Sequence, residues 1–274
     1  MSDNVQKVLR QEPTHKLRNS LIILFILAMT VWSILAIDYQ GVNDLGVTVV
    51  RNIARFLVWP DSNPNNPVIA KYLFSLERFA VPYLMLETIM IAFIGTLLGA
   101  FISIPFAFLS SKNIVGEKRS LIGATVITMV RTVPIFIWGI VFIRVQGGAM
   151  AGVLAIAVSS IGMISKLYIE VIEDIDEGIL EALDSTGATA FQKIRYGIIP
   201  QLTANFLSVS IYRFEINVRN ATILGLVGAG GIGFTLIDAL GSFNFGIVAV
   251  SLWGIIPVVL LIEYFSTKLR ARLT

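Results

Sequence analysis

The 274-residue sequence has no cysteine and one histidine, His15. These absences exclude a disulfide framework, a thiolate metal site and an imidazole cluster, so no catalytic, metal-ligating or cofactor-binding set is expected. Charge is also scarce. Only 14% of the residues are Asp, Glu, Lys or Arg, against about 25% in soluble domains. One apparent motif is empty: Gly228-Ala229-Gly230-Gly231-Ile232-Gly233 satisfies G-x-G-x-x-G, but no strand precedes it and this composition supports no βαβ unit. Its glycines fit a loop that re-enters or packs closely where bulkier residues would not.

What is present is apolar. With 55% hydrophobic residues and a mean hydropathy of +0.80, the chain reads as an all-α, polytopic membrane protein. A net charge of +3 would suit nucleic acid, but the basic residues flank apolar runs without interleaved aromatics, which suits a lipid surface. Residues 1–20 form a basic tail with Lys7, Arg10, Lys16 and Arg18. Residues 21–80 hold a first span, Leu21 to Ile37, and an external interfacial helix over Val47 to Trp59. That helix sets Val47, Val50, Ala54, Leu57 and Val58 against Arg51 and Arg55 and ends at the turn-rich Pro60 to Pro67. A core of spans occupies 81–265: Val81 to Leu109 with Gly95-x-x-x-Gly99 for close packing, Leu121 to Val145, Ala149 to Tyr168, Phe206 to Leu226 and Phe245 to Phe265. Residues 266–274 form a basic tail. The links near Gln146 and over 228–242 lack Lys and Arg, so the positive-inside rule puts both termini and the polar stretch 170–200 in the cytoplasm.

Charged and amide side chains interrupt the fifth span. Tyr212, Glu215 and Arg219 fall on one helical stripe, and Arg213, Asn217 and Asn220 on another. Ile211, Phe214, Val218 and Ala221 are left as the face fit for lipid. Glu215 and Arg219 are spaced to pair. Arg131 is a further arginine at membrane depth. Ionisable groups there face a cavity or a partner, and a guanidinium matches the geometry of oxyanions. Two readings stay open: these side chains line a path, or their salt bridges brace the helices.

The stretch from Glu181 to Pro200 is a polar island. Thr189-x-x-Gln192 is a capping box that predicts a short helix starting near Ala190. Gly187 suits a left-handed residue closing the preceding helix, and Pro200 is expected to stop the second helix. The spacing of Glu181, Ala182, Leu183, Gly187 and Pro200 resembles the cytoplasmic EAA loop of bacterial ATP-binding-cassette importer permeases, with Leu183 and Gly197 departing from the family's usual Ala and Ile. Arg131-Thr132-Val133-Pro134 and Tyr212 through Gly233 resemble the permeases of phosphonate importers, the family that also serves phosphite and related phosphorus oxyanions. Ile135 departs from that pattern, since an acid is usual there.

The resemblance implies a type I importer permease fold with about six transmembrane helices and a cytoplasmic coupling helix, in the bacterial inner membrane. It implies a homodimer, two ATPase subunits gripping the EAA-like loops, an external substrate-binding protein and no enzyme activity in this chain, which has no Walker A sequence. The expected path residues are Arg131, Tyr212, Arg213, Glu215, Asn217, Arg219 and Asn220. An ion-coupled transporter would instead need paired broken helices and a carboxylate cluster, and only Glu215 stands out as a central acid. A membrane enzyme would need a nucleophile and a base.

Overall fold

The computed structural model describes residues 16–36, 44–58, 72–73, 75, 80–189, 192 and 194–273, and among these it is helical without strands. The chain divides into two units, residues 1–51 and 52–274. Helix α1 (Lys16–Ala36) lies in the first. Its described side chains, Arg18 through Ala36, are all exposed, as expected of an apolar helix long enough to meet lipid on every side.

Helix α2 (Asp44–Val58) is strongly amphipathic, but its inward stripe is not the expected one. Val49, Asn52, Ile53, Phe56 and Leu57 are half-buried, whereas Val47, Val50 and Val58 are exposed. The i, i+3, i+4 pattern that carries the bulkier Ile53 and Phe56 wins. The Trp253 indole N–H donates to the Leu57 carbonyl at 3.0 Å. The turn Pro60 to Pro67 lies outside the described residues.

Helix α3 (Val81–Phe108) starts with Pro82 in its first turn, where a missing N–H costs nothing. Its polar residues are satisfied locally: Thr88, Thr96 and Ser103 each donate to the carbonyl four residues back. Gly95 and Gly99 let it lie against α7 (Ala149–Glu173). A β-carbon at Gly95 would stand 2.7 Å from Ile156, and one at Gly99 2.6 Å from Ser160. The short α4 (Lys112–Val115) follows. Its first N–H donates to Glu173 at 2.7 Å, and Asn113 donates to the Ile172 carbonyl, tying this link to the end of α7.

The expected span Leu121 to Val145 is broken. Helices α5 (Glu117–Thr132) and α6 (Ile135–Val145) meet at 79°. Pro134 forces Val133 into extended backbone, φ −82° and ψ 116°, and so ends α5. Beyond α7 come α8 (Glu177–Ser185), a π-helical turn over Ile194–Ile198 that runs into α9 (Ile199–Gly225), then α10 (Ile232–Gly241) and α11 (Phe245–Arg270).

Helices α1, α3, α7 and α11 are long and apolar enough to cross a membrane, and the bent α5–α6 pair makes a fifth candidate. The fifth expected span, α9, has 27 residues and so about 40 Å of length, but it carries Arg213, Glu215 and Arg219 and is not among these apolar helices. It survives by being surrounded. The face expected to meet lipid is turned inward, with Val218 and Ala221 0% and 1% exposed, packed with Ile91, Ile156 and Leu224. Nearer the α8 end, Tyr168 stacks on Phe206 at 3.8 Å and hydrogen-bonds Ser210 at 2.7 Å. The glycine loop does pack closely. Gly231 approaches Thr88, whose hydroxyl accepts the Ile232 N–H at 3.0 Å, and a β-carbon at Gly233 would run into the Thr222 carbonyl.

Candidate functional site

The corner between α7 and α9 is closed by local hydrogen bonds of side chains and backbone. Asp176 caps α8 by accepting the Gly178 N–H at 2.9 Å. Its own N–H donates to Gln201, whose amide also donates to the Gly197 carbonyl at 2.9 Å, so one side chain clasps the start of α8 to the π-turn. At the other end Gly187 sits at φ +72°. Its N–H donates to Asp184, and the Ala188 N–H donates to Leu183, a Schellman closure. Nothing lies within 4 Å of a β-carbon at Gly187, so backbone conformation alone demands glycine there.

The Thr189–Gln192 box is reciprocal: the Thr189 N–H donates to Gln192 Oε1 at 2.8 Å, and the Gln192 N–H donates to Thr189 Oγ1 at 3.4 Å. The predicted helix start at Ala190 lies outside the described residues. Pro200 does not stop a helix. It is in the first turn of α9, where the π-turn has already broken the regular ladder and no donor is missed. Glu181 and Ala182 are exposed and Leu183 half-buried. Beside them Ile179, Ile194, Tyr196 and Ile199 are 41–64% exposed, an apolar surface on a polar element.

The polar residues of α9 divide into two sets. In the first, Arg213 is 6% exposed. Its Nη2 donates to Ser159 at 3.2 Å and its Nε to Ser160 at 3.4 Å, both on α7. Asn217, fully buried, donates to Ser160 and to Thr96 of α3, each at 2.8 Å. Asn220 reaches Asn217 Oδ1 at 3.5 Å. Arg131, at the end of α5, is exposed. It lies against Gly162 of α7, where a β-carbon would be 2.8 Å from its Cγ, one turn from the Ser159 that Arg213 bonds. Among the described residues neither arginine has a carboxylate partner.

The second set is paired. Glu215, its side chain 8% exposed, bonds Arg219 one turn on, as expected, and Arg270 of α11 at 3.1 Å. Arg219 also lies 3.9 Å from Glu263. The Arg270 guanidinium sits 5.1 Å above the ring of Tyr212. Two cations and two acids therefore meet between α9 and α11. Sequence reasoning missed Glu263, which makes Glu215 not the lone central acid, and took Arg270 only as part of a basic tail. The signal was there: an acid in an apolar run, with an arginine seven residues later on the same helical face. It also passed over Ser159 and Ser160, since serines in membrane helices usually bond their own backbone.

A family model described as binding-protein-dependent transport system inner membrane component matches residues 99–273. The phosphite transport system permease protein PtxC of Stutzerimonas stutzeri is 38% identical over 193 residues, 68% of this chain and 68% of that protein. The phosphate-import permease protein PhnE of Mycolicibacterium smegmatis is 39% identical over 65% of this chain, and the match spans 33% of that longer protein. Among solved structures, an inward-facing MetNI methionine ABC transporter chain superposes with a TM-score of 0.59 at 22% identity, over 69% of this chain and 94% of that one, a likeness of fold.

Proposed function

Because the chain belongs to the family of binding-protein-dependent transport system inner membrane components, we propose that it conducts a phosphonate, phosphite or related phosphorus oxyanion into the cell. The chain is a multi-pass inner-membrane permease subunit of an ATP-binding-cassette importer. It is not an enzyme: a separate subunit hydrolyses ATP, and an external binding protein delivers the substrate.

The finer assembly we assign is two copies of this chain around a shared path, with two ATPase subunits on the cytoplasmic side and both termini in the cytoplasm. The link over 228–242, free of Lys and Arg, supports that orientation, and a two-fold pair suits paired ATPases. The coupling element is the corner bearing Glu181, Ala182, Leu183, Gly187 and Pro200. Its exposed Ile179 and Tyr196 offer apolar area to a partner, while the clasp by Gln201 transmits displacement of α8 into α9.

The observation that carries the substrate class is that neither Arg131 nor Arg213 has a carboxylate partner among the described residues, which favours an anionic cargo. Of the other path candidates, Tyr212, Asn220 and Arg219 keep exposed or half-exposed side chains, while Glu215 and Asn217 act from within the protein as supports. The test is uptake in cells expressing this chain with its ATPase and binding protein. Phosphite and methylphosphonate should compete for uptake with each other and methionine should not; competition by methionine alone would overturn the assignment.

A further inference from the structure

We propose that Ser159 of α7 completes, with Arg213 and Arg131, an oxyanion subsite inside the permease itself, so that this chain selects cargo in addition to the binding protein. The inference rests on the permease reading above and names the groups that would meet the substrate.

The first ground is charge. A guanidinium as buried as Arg213 costs several kcal/mol unless an opposite charge compensates it. Arg131 lies against α7 at Gly162, one turn from the serine that Arg213 bonds, and no carboxylate pairs with either arginine among the described residues. The Glu215 set on the same helix shows what compensation looks like here: two arginines with two carboxylates within 4 Å. The Arg213 face lacks a counter-ion that the protein supplies elsewhere, and a transported anion would be that counter-ion.

The second ground is donor chemistry. Ser159 Oγ accepts from Arg213 Nη2, and its own hydroxyl proton has no acceptor among the described residues. Arg213 Nη1 has no hydrogen-bond partner among the described residues, and Arg131 makes no side-chain hydrogen bond there. Each of these groups offers N–H or O–H, and arginine accepts nothing. Such a surface suits a ligand whose oxygens only accept, as in an ionised phosphite, phosphonate or phosphate.

The third ground is rigidity. Arg213 Nε is held by Ser160, which Asn217 also bonds, and Asn217 is anchored to Thr96 of α3. Three helices thus fix the fork. Ser159 and Gly162 lie one turn apart on α7, and Gly162 lets Arg131 lie directly on the helix. The nearby face continues to Lys166, which is already paired with Glu170 at 3.4 Å. The unsatisfied donors therefore stop one turn short of it.

The test uses the purified permease–ATPase complex without binding protein, titrated with phosphite and with methylphosphonate by calorimetry. Saturable binding, competed by phosphate and not by methionine, is expected. Ser159→Ala should weaken it about ten-fold, the loss of one hydrogen bond to a charged ligand, and Ser159→Thr should restore it. Ser159 is a half-buried small residue, so its alanine variant keeps the fold, and a thermal melt checks this. Absence of saturable binding by the wild-type complex, or equal affinity of Ser159→Ala, would overturn the subsite. Uptake by the complete importer separates the two claims. If it imports phosphite while the complex binds none, the subsite alone falls; if it imports no phosphorus oxyanion, the functional reading falls.

Discussion

Arg213 and Glu215 stand two residues apart on α9, about 3 Å along the axis, yet their surroundings are opposites. Glu215 is enclosed by Arg219 and Arg270, with Glu263 completing a neutral set between α9 and α11. Arg213 is held by serines of α7, and Arg131 lies against the same helix one turn away. The same helix thus carries one charge with built-in counter-ions and one with none among the described residues. The first kind fixes helices, because removing any member strands the others. The second leaves attraction for something that arrives from outside. Charge in a membrane helix is therefore not one signal but two, separated by whether a counter-ion is built in.

Substitutions should break the two sets differently. Glu215→Ala should have the largest effect on stability. It leaves Arg219 and Arg270 without their buried carboxylate, a loss of about 3 kcal/mol, seen as a lower melting temperature of the purified complex and reduced abundance in the membrane, with uptake falling in proportion. Asn217→Ala comes next. It removes the bonds to Thr96 and Ser160 at a cost of about 2 kcal/mol, and loosening of the Arg213 fork should lower uptake slightly beyond the loss of protein.

Gly187→Val should cost about 1–2 kcal/mol, confined to the corner, because a β-branched residue is held at φ +72°. ATP hydrolysis should then proceed with reduced uptake, while Gly187→Asn, which tolerates the left-handed region, should stay coupled. Unchanged uptake by the valine variant would remove the corner from the coupling role. Arg213→Met should be smallest in stability, within about 1 kcal/mol of wild type, since a buried unpaired cation gives way to an apolar chain of similar reach. Its uptake per molecule should nevertheless fall at least about ten-fold. Equal falls in uptake and abundance would place Arg213 with the braces and erase the contrast.

Much of this was legible in the sequence because it is local. Apolar runs mark α1, α3, α7 and α11; the Gly187 conformation and the Thr189–Gln192 box follow from short-range backbone chemistry; and the Glu215–Arg219 pair follows from helical spacing. The failures come from where neighbours decide. Pro134 splits a run of span length because its predecessor must be extended. Pro200 begins a helix because the π-turn before it had already altered the ladder. Val218 and Ala221 looked like a lipid face, but helices pack on that side too. Arg270 and Glu263 lie dozens of residues from Glu215, and no periodicity on α9 announces a partner on α11. Ser159 gave no signal at all, since its role depends on which helix lies opposite.

The most direct measurement is substrate uptake into proteoliposomes holding this chain alone, with its ATPase, or with ATPase, ATP and the external binding protein. Phosphite should accumulate only in the last, and only while ATP is hydrolysed. Accumulation by the chain alone, without nucleotide or second protein, would contradict a permease driven through its cytoplasmic corner.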